Sequence, residues 1–544
     1  MNKKQKSSII LASLASIAVT GSVMAGATYA LFTSESKTNI AVTSGKVDVT
    51  ATIEDMLTYT GKDLTGVVAD DESKIKLSTD YDLTNGQFIN GGTASLTDNT
   101  LSLEKVTPGD KVTFKILIEN NSNVSVKYRT RISLSKDTGL YDGLNVKIGE
   151  FEDATVTDWA TLEVGSANEE LNCEVSLPSD KGNTYQDTSC KLSFTVEAVQ
   201  GNAVVDYVTI GGIADAEGKM YYTAEEAYNE IKAKLEEKCG LKEQQMSESD
   251  FKAFFTDGGK ITWNIHGYQK VVDTNMFSFG RVANRFGDGL NITDIIITGV
   301  GDDAELDLSA VNGTFTLPYN WWAGETPNVA LRCSNVTFND IKRLPGHAYQ
   351  NANVDTVFEF DDCTFNGILH SYNDYKINVN IKNSTFNAIS KTQYAFMIQG
   401  KQGKANGKVT LDGNTFYDYT RGINLQRPET DFIITNNKII STQSELTRQA
   451  IQLTDGKSFV VNNNTINVNA GNAIVFHSAA KNSDVTYEIN NNDINAPYLG
   501  YYDTSFDVNP KITSSGNKFN NTNTTMCIKK DAIAPEATNL TAIK

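Results

Sequence analysis

The sequence predicts an all-β protein of two modules: an antiparallel sandwich, then a right-handed parallel β-helix whose first coil is covered by a helix. Three observations predict it. Between about residue 261 and residue 527 one phrase recurs: two apolar residues at alternate positions, a short polar break, then Asn-x-Phe or Asn-x-Ile. Between residues 31 and 205, segments of period-two alternation are separated by polar turns. Between these regions, residues 206–260 carry apolar residues at helical spacing. At 544 residues the chain is also too long for one ordinary domain.

The first 30 residues read as an export signal. Lys3, Lys4 and Lys6 form a positive start, Ile9 to Met24 an apolar middle, and Thr28-Tyr29-Ala30 a small-x-small cleavage site. Cleavage after Ala30 makes Leu31 the new first residue; Ala25-Gly26-Ala27 is a second candidate site. An uncleaved membrane anchor is the competing reading, because the apolar stretch approaches bilayer length. The net charge of -18 at pH 7 argues against nucleic acid or an anionic membrane as partner.

In residues 31–205, Val47 to Ile53 alternates with period two, and Pro108-Gly109-Asp110 is a turn before a strand from Val112 to Ile118. Asn120 to Asn123 turns the chain into Val126 to Ile132, and Leu192 to Gln200 is the closing strand. Strand, turn and strand at this spacing predict an antiparallel sandwich. Cys173 and Cys190 flank a polar stretch and are a candidate disulfide between paired strands outside the cell. Cys333 and Cys363 fall on inward or turn positions of the repeat and read as buried thiols. No CxxC or zinc spacing is present, and no cofactor or metal site is read.

Several short motifs in this region resemble the TasA/camelysin family of secreted proteins from Gram-positive bacteria. They are Thr28-Tyr29-Ala30-Leu31-Phe32, Thr43-Ser44-Gly45-Lys46-Val47-Asp48-Val49, Val106-Thr107-Pro108-Gly109-Asp110, the Asn120-Asn121 turn, and the ending Val196 to Gln200. The resemblance covers residues 1 to 205. It implies a jelly-roll-like sandwich, processing by a dedicated signal peptidase of the SipW type, and association with biofilm-matrix filaments. In such filaments the freed N-terminal strand, here about Leu31 to Ala41, adds to a neighbour's open sheet edge. The alternative is a monomeric sandwich. The family's metalloprotease label finds no support: there is no HExxH, and residues 31–205 contain no His.

In residues 206–260, Thr223-Ala224-Glu225-Glu226 is a capping box that starts a helix, and Ala224, Ala227, Ile231 and Leu235 give it one apolar stripe. It should stop at Cys239-Gly240, with a second short helix from Ser249 to Phe255. A helix placed before a run of parallel coils covers the first coil's open core.

Across residues 261–527 the aromatic or Ile that ends each phrase acts as a ruler: Phe338, Phe365, Phe386, Phe416, Ile439, Ile466, Ile494 and Phe519. The steps are 27, 21, 30, 23, 27, 28 and 25 residues. A period in the twenties means stacked units, and the internal alternation excludes helical solenoids. What remains is a parallel β-helix, and the region resembles pectate-lyase-like folds. With strands about 4.8 Å apart, eight coils rise on the order of 40 Å. Two positions before the ruler stand Asn414, Asn437, Asn464, Asn492 and Asn517. This is read as a structural Asn ladder: Asn tolerates the left-handed turn conformation, and its amide can bond to the coils above and below. Residues 528–544 are a tail.

A second strand per coil places Gln399, Asn424, Gln426, Gln452 and His477 on outward positions, with Arg421 and Arg448 just before them. Amides and guanidinium groups on a flat face suit sugar hydroxyls or carboxylates, although outward residues are polar in any case. Tyr319-Asn320-Trp321-Trp322 interrupts the coils; Tyr319, Trp321 and Trp322 could stack on sugar rings or dock on a partner. Glycoside hydrolysis needs two facing carboxylates, and the outward row shows none. Asp361-Asp362 reads as a turn pair, and His347 lacks the companions of a catalytic site.

The sequence therefore predicts an extracellular surface or matrix protein. The sandwich serves assembly, with itself or with matrix proteins, and the β-helix serves display or polysaccharide binding. The alternative is a polysaccharide lyase or glycoside hydrolase carried on the same targeting module.

Overall fold

The computed structural model describes residues 33–36, 47–59, 92–97, 99–137, 139–152, 156–165, 168–185, 187–239, 246–279, 292–317, 329–344, 355–372, 376–388, 394–400, 406–442, 449–476, 485–502 and 511–520. The chain forms two compact units, Met1–Ala203 and Val204–Lys544. The all-β expectation holds: antiparallel sheets make the first and parallel coils the second.

In the first unit, strands Thr93–Thr97, Thr100–Glu104, Ser189–Gln200, Val126–Asp137 and Ala160–Leu162 lie in that order. A second sheet runs Val49–Tyr59, Lys111–Asn120, Glu169–Ser176, Asn145–Ile148 and Phe151–Glu152. The alternation of Lys111–Asn120 buries Val112, Phe114, Ile116 and Ile118. The Phe114 ring meets Phe194 of the other sheet edge-on at 5.0 Å, so one apolar core holds both sheets. The Pro108-Gly109 turn is closed by Asp110, whose Oδ2 accepts from the Thr107 amide at 2.8 Å and hydroxyl at 2.9 Å.

The expected disulfide is corrected. Cys173 sits in Glu169–Ser176 of one sheet and Cys190 in Ser189–Gln200 of the other, so they are not cross-strand neighbours. Both thiols are free and buried in the core. Burial pushes the Cys173 thiol up to about 12 and raises Cys190 as well. The N-terminal segment also forms a strand within its own chain: Thr33–Ser36 pairs antiparallel with Val196 to Val199.

In the second unit, Lys260–His266, Asp294–Gly299, Ala330–Ser334, Asp355–Asp361, Lys376–Lys382, Gly407–Asp412, Thr430–Thr435, Ser458–Asn462, Thr486–Asn490 and Lys511–Ser515 stack in parallel. Leu331, Phe358, Val379, Val409, Phe432, Phe459 and Tyr487 are in register and buried. Phe432, Phe459 and Tyr487 stack at 5.1 Å intervals. Two coils precede the ruler's first mark, because Leu306 lies beside Phe338, and Gln269 beside Leu306. Their turns carry no Asn-x-Phe phrase, so the repeat did not reveal them.

The stack begins under a cap. Tyr207–Gly211 pairs antiparallel with the first parallel strand. Helix Ala224–Cys239 buries Ala224, Ala227, Tyr228, Ile231 and Leu235 in the same core as the coils. Thr223 Oγ1 accepts from the Glu226 amide at 3.0 Å, and Glu226 Oε2 accepts from the Tyr222 amide at 3.1 Å. The second short helix is Glu248–Phe254, capped by Ser247.

The Asn column is a continuous buried ladder. Asn414, Asn437, Asn464 and Asn492 each donate from Nδ2 to Oδ1 of the Asn one coil on, at 2.9–3.0 Å. Each Nδ2, Asn517 included, also donates to a carbonyl of the preceding coil: Ile381, Leu411, Ile434, Val461 and Ile489. Each Oδ1 beyond the first coil also accepts the backbone amide of the ladder residue before it. Ser384 extends the column upstream, its amide donating to Asn414 Oδ1 at 2.9 Å.

The conformational role assigned to these Asn is corrected. Positive φ belongs to the residue just before each ladder position: Asn335, Asp362, Asn383, Gly413, Asn436, Asn463, Asn491 and Gly516, at 50° to 70°. Asn, Asp and Gly alone occupy this column because they tolerate the left-handed region. The ladder Asn are thus free of the turn and used wholly for hydrogen bonding. Asp362 in this column makes the Asp361-Asp362 pair part of a turn.

Candidate functional site

The candidate site is built on the second strand of successive coils: Thr364–Tyr372, Tyr394–Gln399, Arg421–Gln426, Gln449–Asp455 and Asn472–Phe476, paired in parallel. Period-two geometry turns Leu369, Phe396, Ile423, Ile451 and Ile474 into the core, with Ile398, Leu425, Leu453 and Phe476 beside them. The intervening positions fall into three register columns. Tyr394, Arg421 and Gln449 form the first; His370, Met397, Asn424 and Gln452 the second; Tyr372, Gln399, Gln426 and Asp455 the third.

The middle of this row is covered, which corrects the picture of an open polar face. Asn424 is 4% exposed and Gln452 8%. Tyr394 Oη donates to Gln452 Oε1 at 2.7 Å, and Gln449 Nε2 donates to Tyr394 Oη at 3.1 Å and to Gln452 Oε1. Gln452 Nε2 donates to Thr454 Oγ1 at 2.9 Å, and that hydroxyl donates to Asn424 Oδ1 at 3.0 Å. These amides satisfy one another, as buried polar groups must. Gln449, Thr454 and Tyr394 are partners that alternation alone did not single out.

The third column remains accessible. Gln399 Nε2 donates to Gln426 Oε1 at 2.9 Å, and both are half-buried. Tyr372 at one end is 59% exposed. The Arg421 guanidinium lies over the Tyr394 ring, 5.2 Å from its centroid. A register shift after Leu425 pairs Gln426 with Asp455 rather than Thr454. The row therefore ends on a carboxylate that strict alternation hides, correcting the expectation of none. Burial pushes the Asp455 carboxyl up to about 6, against a lowering from the Gly456 amide. In the third column an exposed aromatic, two oriented amides and a carboxyl group suit a sugar, while Arg421 belongs to the first column, beside Tyr394 and Gln449.

Of the other sequence candidates, Arg448, His477, Tyr319, Trp321, Trp322 and the cleavage residues Ala30 and Leu31 lie outside the described residues. Buried Cys333 and Cys363 have thiols raised well above the usual range by desolvation first.

Residues 338–532 match the family described as "NosD: Periplasmic copper-binding protein (NosD)". No curated protein matches the chain. Two solved structures are similar: the catalytic domain of a GH87 alpha-1,3-glucanase in complex with nigerose, and its D1069A variant with the same sugar. Each is 10% identical, covering 79% of this chain and 89% of the other, with TM-scores of 0.20 and 0.19.

The donors among the described residues do not form a copper site. Among the described residues no three His, Cys, Asp or Glu side chains cluster as metal ligands. His370 Nε2 lies 3.2 Å from the Tyr394 carbonyl, and His266 stacks on Tyr207. Residues 338–532 are thus similar to the NosD family, and the described residues of that span form parallel coils.

Proposed function

We propose that this chain is an exported surface or matrix protein of the TasA/camelysin type, from a Gram-positive bacterium, whose sandwich assembles by strand addition and whose β-helix binds polysaccharide. Export is supported by the lysine-led apolar N-terminus and by the periplasmic location in the matched family's description. A dedicated signal peptidase would release Leu31.

One observation carries the assembly reading. Thr33–Ser36 pairs antiparallel with the edge Val196 to Val199 within its own chain, and strand pairing of this kind is made by backbone hydrogen bonds. Any copy of the same segment fits that edge equally well, so exchange between copies makes a filament without a new interface. The test deletes residues 31–41 from the mature chain and follows its mass by light scattering. Assembly by the full chain, lost on deletion and blocked by a peptide of residues 31–41, is the expected result. Equal assembly with and without the segment overturns the proposal.

For the β-helix, Tyr372, Gln399 and Gln426 contact the glycan. Tyr372→Ala with Gln426→Ala should weaken retention on a polysaccharide gel while leaving the unfolding midpoint unchanged. The second reading, a glycan-cleaving enzyme, is favoured by Asp455, a carboxyl that holds its proton to about pH 6 as a general acid must. Release of reducing or unsaturated ends, abolished in Asp455→Asn, would establish it over the binding reading.

A further inference from the structure

A different face of the coils carries a second regular array. Directly after the ladder corner, three coils read Thr-Phe-Asn, at 337–339, 364–366 and 385–387, and the fourth reads Thr-Phe-Tyr at 415–417. The four tripeptides are in register. Their Phe residues are buried and stacked in the core at 4.5–5.5 Å. Thr and Asn therefore project from the opposite side, with coils about 4.8 Å apart and Thr to Asn about 6.6 Å along each strand.

The array is held in place but not used up. Asn366 Nδ2 donates to Asn339 Oδ1 at 2.7 Å, and Asn387 Nδ2 donates to Asn366 Oδ1 at 3.0 Å. Asn339 Nδ2 donates to Glu305 Oε2 at 3.0 Å. Each amide has two N–H groups and two acceptor sites, so the ladder fixes its plane and leaves capacity facing outward. Tyr417 closes the Asn column and is 43% exposed. Glu305 stands one coil before these four and Lys438 one coil after; the four carry no charge, in a chain of net charge -18.

We propose that this face binds a neutral, β-linked polysaccharide chain lying along the stack, with Tyr417 under one sugar ring and the Thr and Asn side chains meeting hydroxyls coil by coil. Sugar hydroxyls both donate and accept, which is what a column of hydroxyls beside a column of amides can match. An uncharged strip in an acidic protein selects against polyuronates and cationic partners alike. Flat extended chains offer a ring face for the aromatic and equatorial hydroxyls for the lattice.

This site is separate from the Tyr372 column, and its test is kept separate. The full chain is co-sedimented with insoluble cellulose and chitin and run in gels containing soluble β-glucan, with polygalacturonate as the charged control. Retention on at least one neutral glycan is expected, weakened at least tenfold in Thr364→Val/Thr385→Val/Tyr417→Ala with an unchanged unfolding midpoint. Tyr372→Ala/Gln426→Ala should leave that retention intact. No retention on any of the three neutral glycans overturns the inference, as does equal retention of the triple variant. A fall in oligomer mass in the triple variant without glycan binding would overturn it in favour of pairing between copies.

Discussion

Replacing Asn464 by Ala tests the buried ladder directly. Its Nδ2 donates to Asn492 Oδ1 at 3.0 Å and to the Ile434 carbonyl at 2.9 Å. Its Oδ1 accepts from the Asn437 amide and Asn437 Nδ2, both at 3.0 Å. Truncation removes all four bonds, but the consequences differ. Asn492 Oδ1 keeps the Asn464 backbone amide, and Asn437 Nδ2 keeps the Leu411 carbonyl. The Asn437 amide loses its ladder acceptor inside the protein. An unsatisfied buried donor costs about 1–3 kcal/mol, and each further lost bond about 0.5–1.5 kcal/mol. The sum is a destabilisation of about 2.5–7.5 kcal/mol, read by urea unfolding. Asn467 is the control: it lies one coil face away, is exposed, and accepts from Asn495 Nδ2 at 2.8 Å. Asn467→Ala should fall within about 0.5 kcal/mol of the parent. A shift for Asn464→Ala no larger than that for Asn467→Ala would refute the ladder's energetic role.

Three further outcomes are expected. Tyr487 is buried with no hydrogen-bond partner for its hydroxyl among the described residues, and its column neighbours Phe432 and Phe459 are phenylalanines. Tyr487→Phe should therefore be neutral or stabilising by about 1 kcal/mol in thermal unfolding. The Asp455 carboxyl keeps its proton to about pH 6 when folded, whereas an unfolded Asp releases it near pH 4, at about 3.9. The folded state then binds more protons across that window, so stability falls as pH rises through it; Asp455→Asn should flatten this dependence in unfolding midpoints measured from pH 4 to 8. Cys173 and Cys190 should react with a thiol reagent only on unfolding, and a reductant should leave the melting temperature unchanged.

Much of the fold was legible because burial in a stacked coil imposes a period. Phe358, Val379 and Val409 repeat their apolar character one coil after another, and a recurrent column is visible in sequence. The capping box at Thr223 was legible because it is local. What failed was either longer in range or shorter in signal. Cys173 and Cys190 are close in sequence, yet the sheet to which each strand belongs is decided by pairings with Lys111–Asn120 and Val126–Asp137. The left-handed column escaped because Asn fills both adjacent positions in Asn436-Asn437 and Asn463-Asn464. At the candidate site, alternation found Gln399 and Gln426. The one-residue shift that brings Asp455 beside Gln426 leaves no mark in composition. Whether an outward residue such as Gln452 is covered depends on what packs over it, which period two does not encode.

The ladder corner has a consequence for how such a chain can change. From the inward residue before the corner to the ruler after it, the count is seven residues in every one of eight coils, from Leu331–Phe338 to Ile512–Phe519. Coil length nonetheless ranges from 21 to 30 residues. All of that variation is therefore absorbed away from the corner, which acts as a fixed spine to which every coil is indexed. A segment can lengthen, acquire aromatics or be replaced elsewhere around the coil without moving its neighbours out of step. An insertion of one residue between Leu411 and Asn414 would instead displace a ladder rung from both coils it joins.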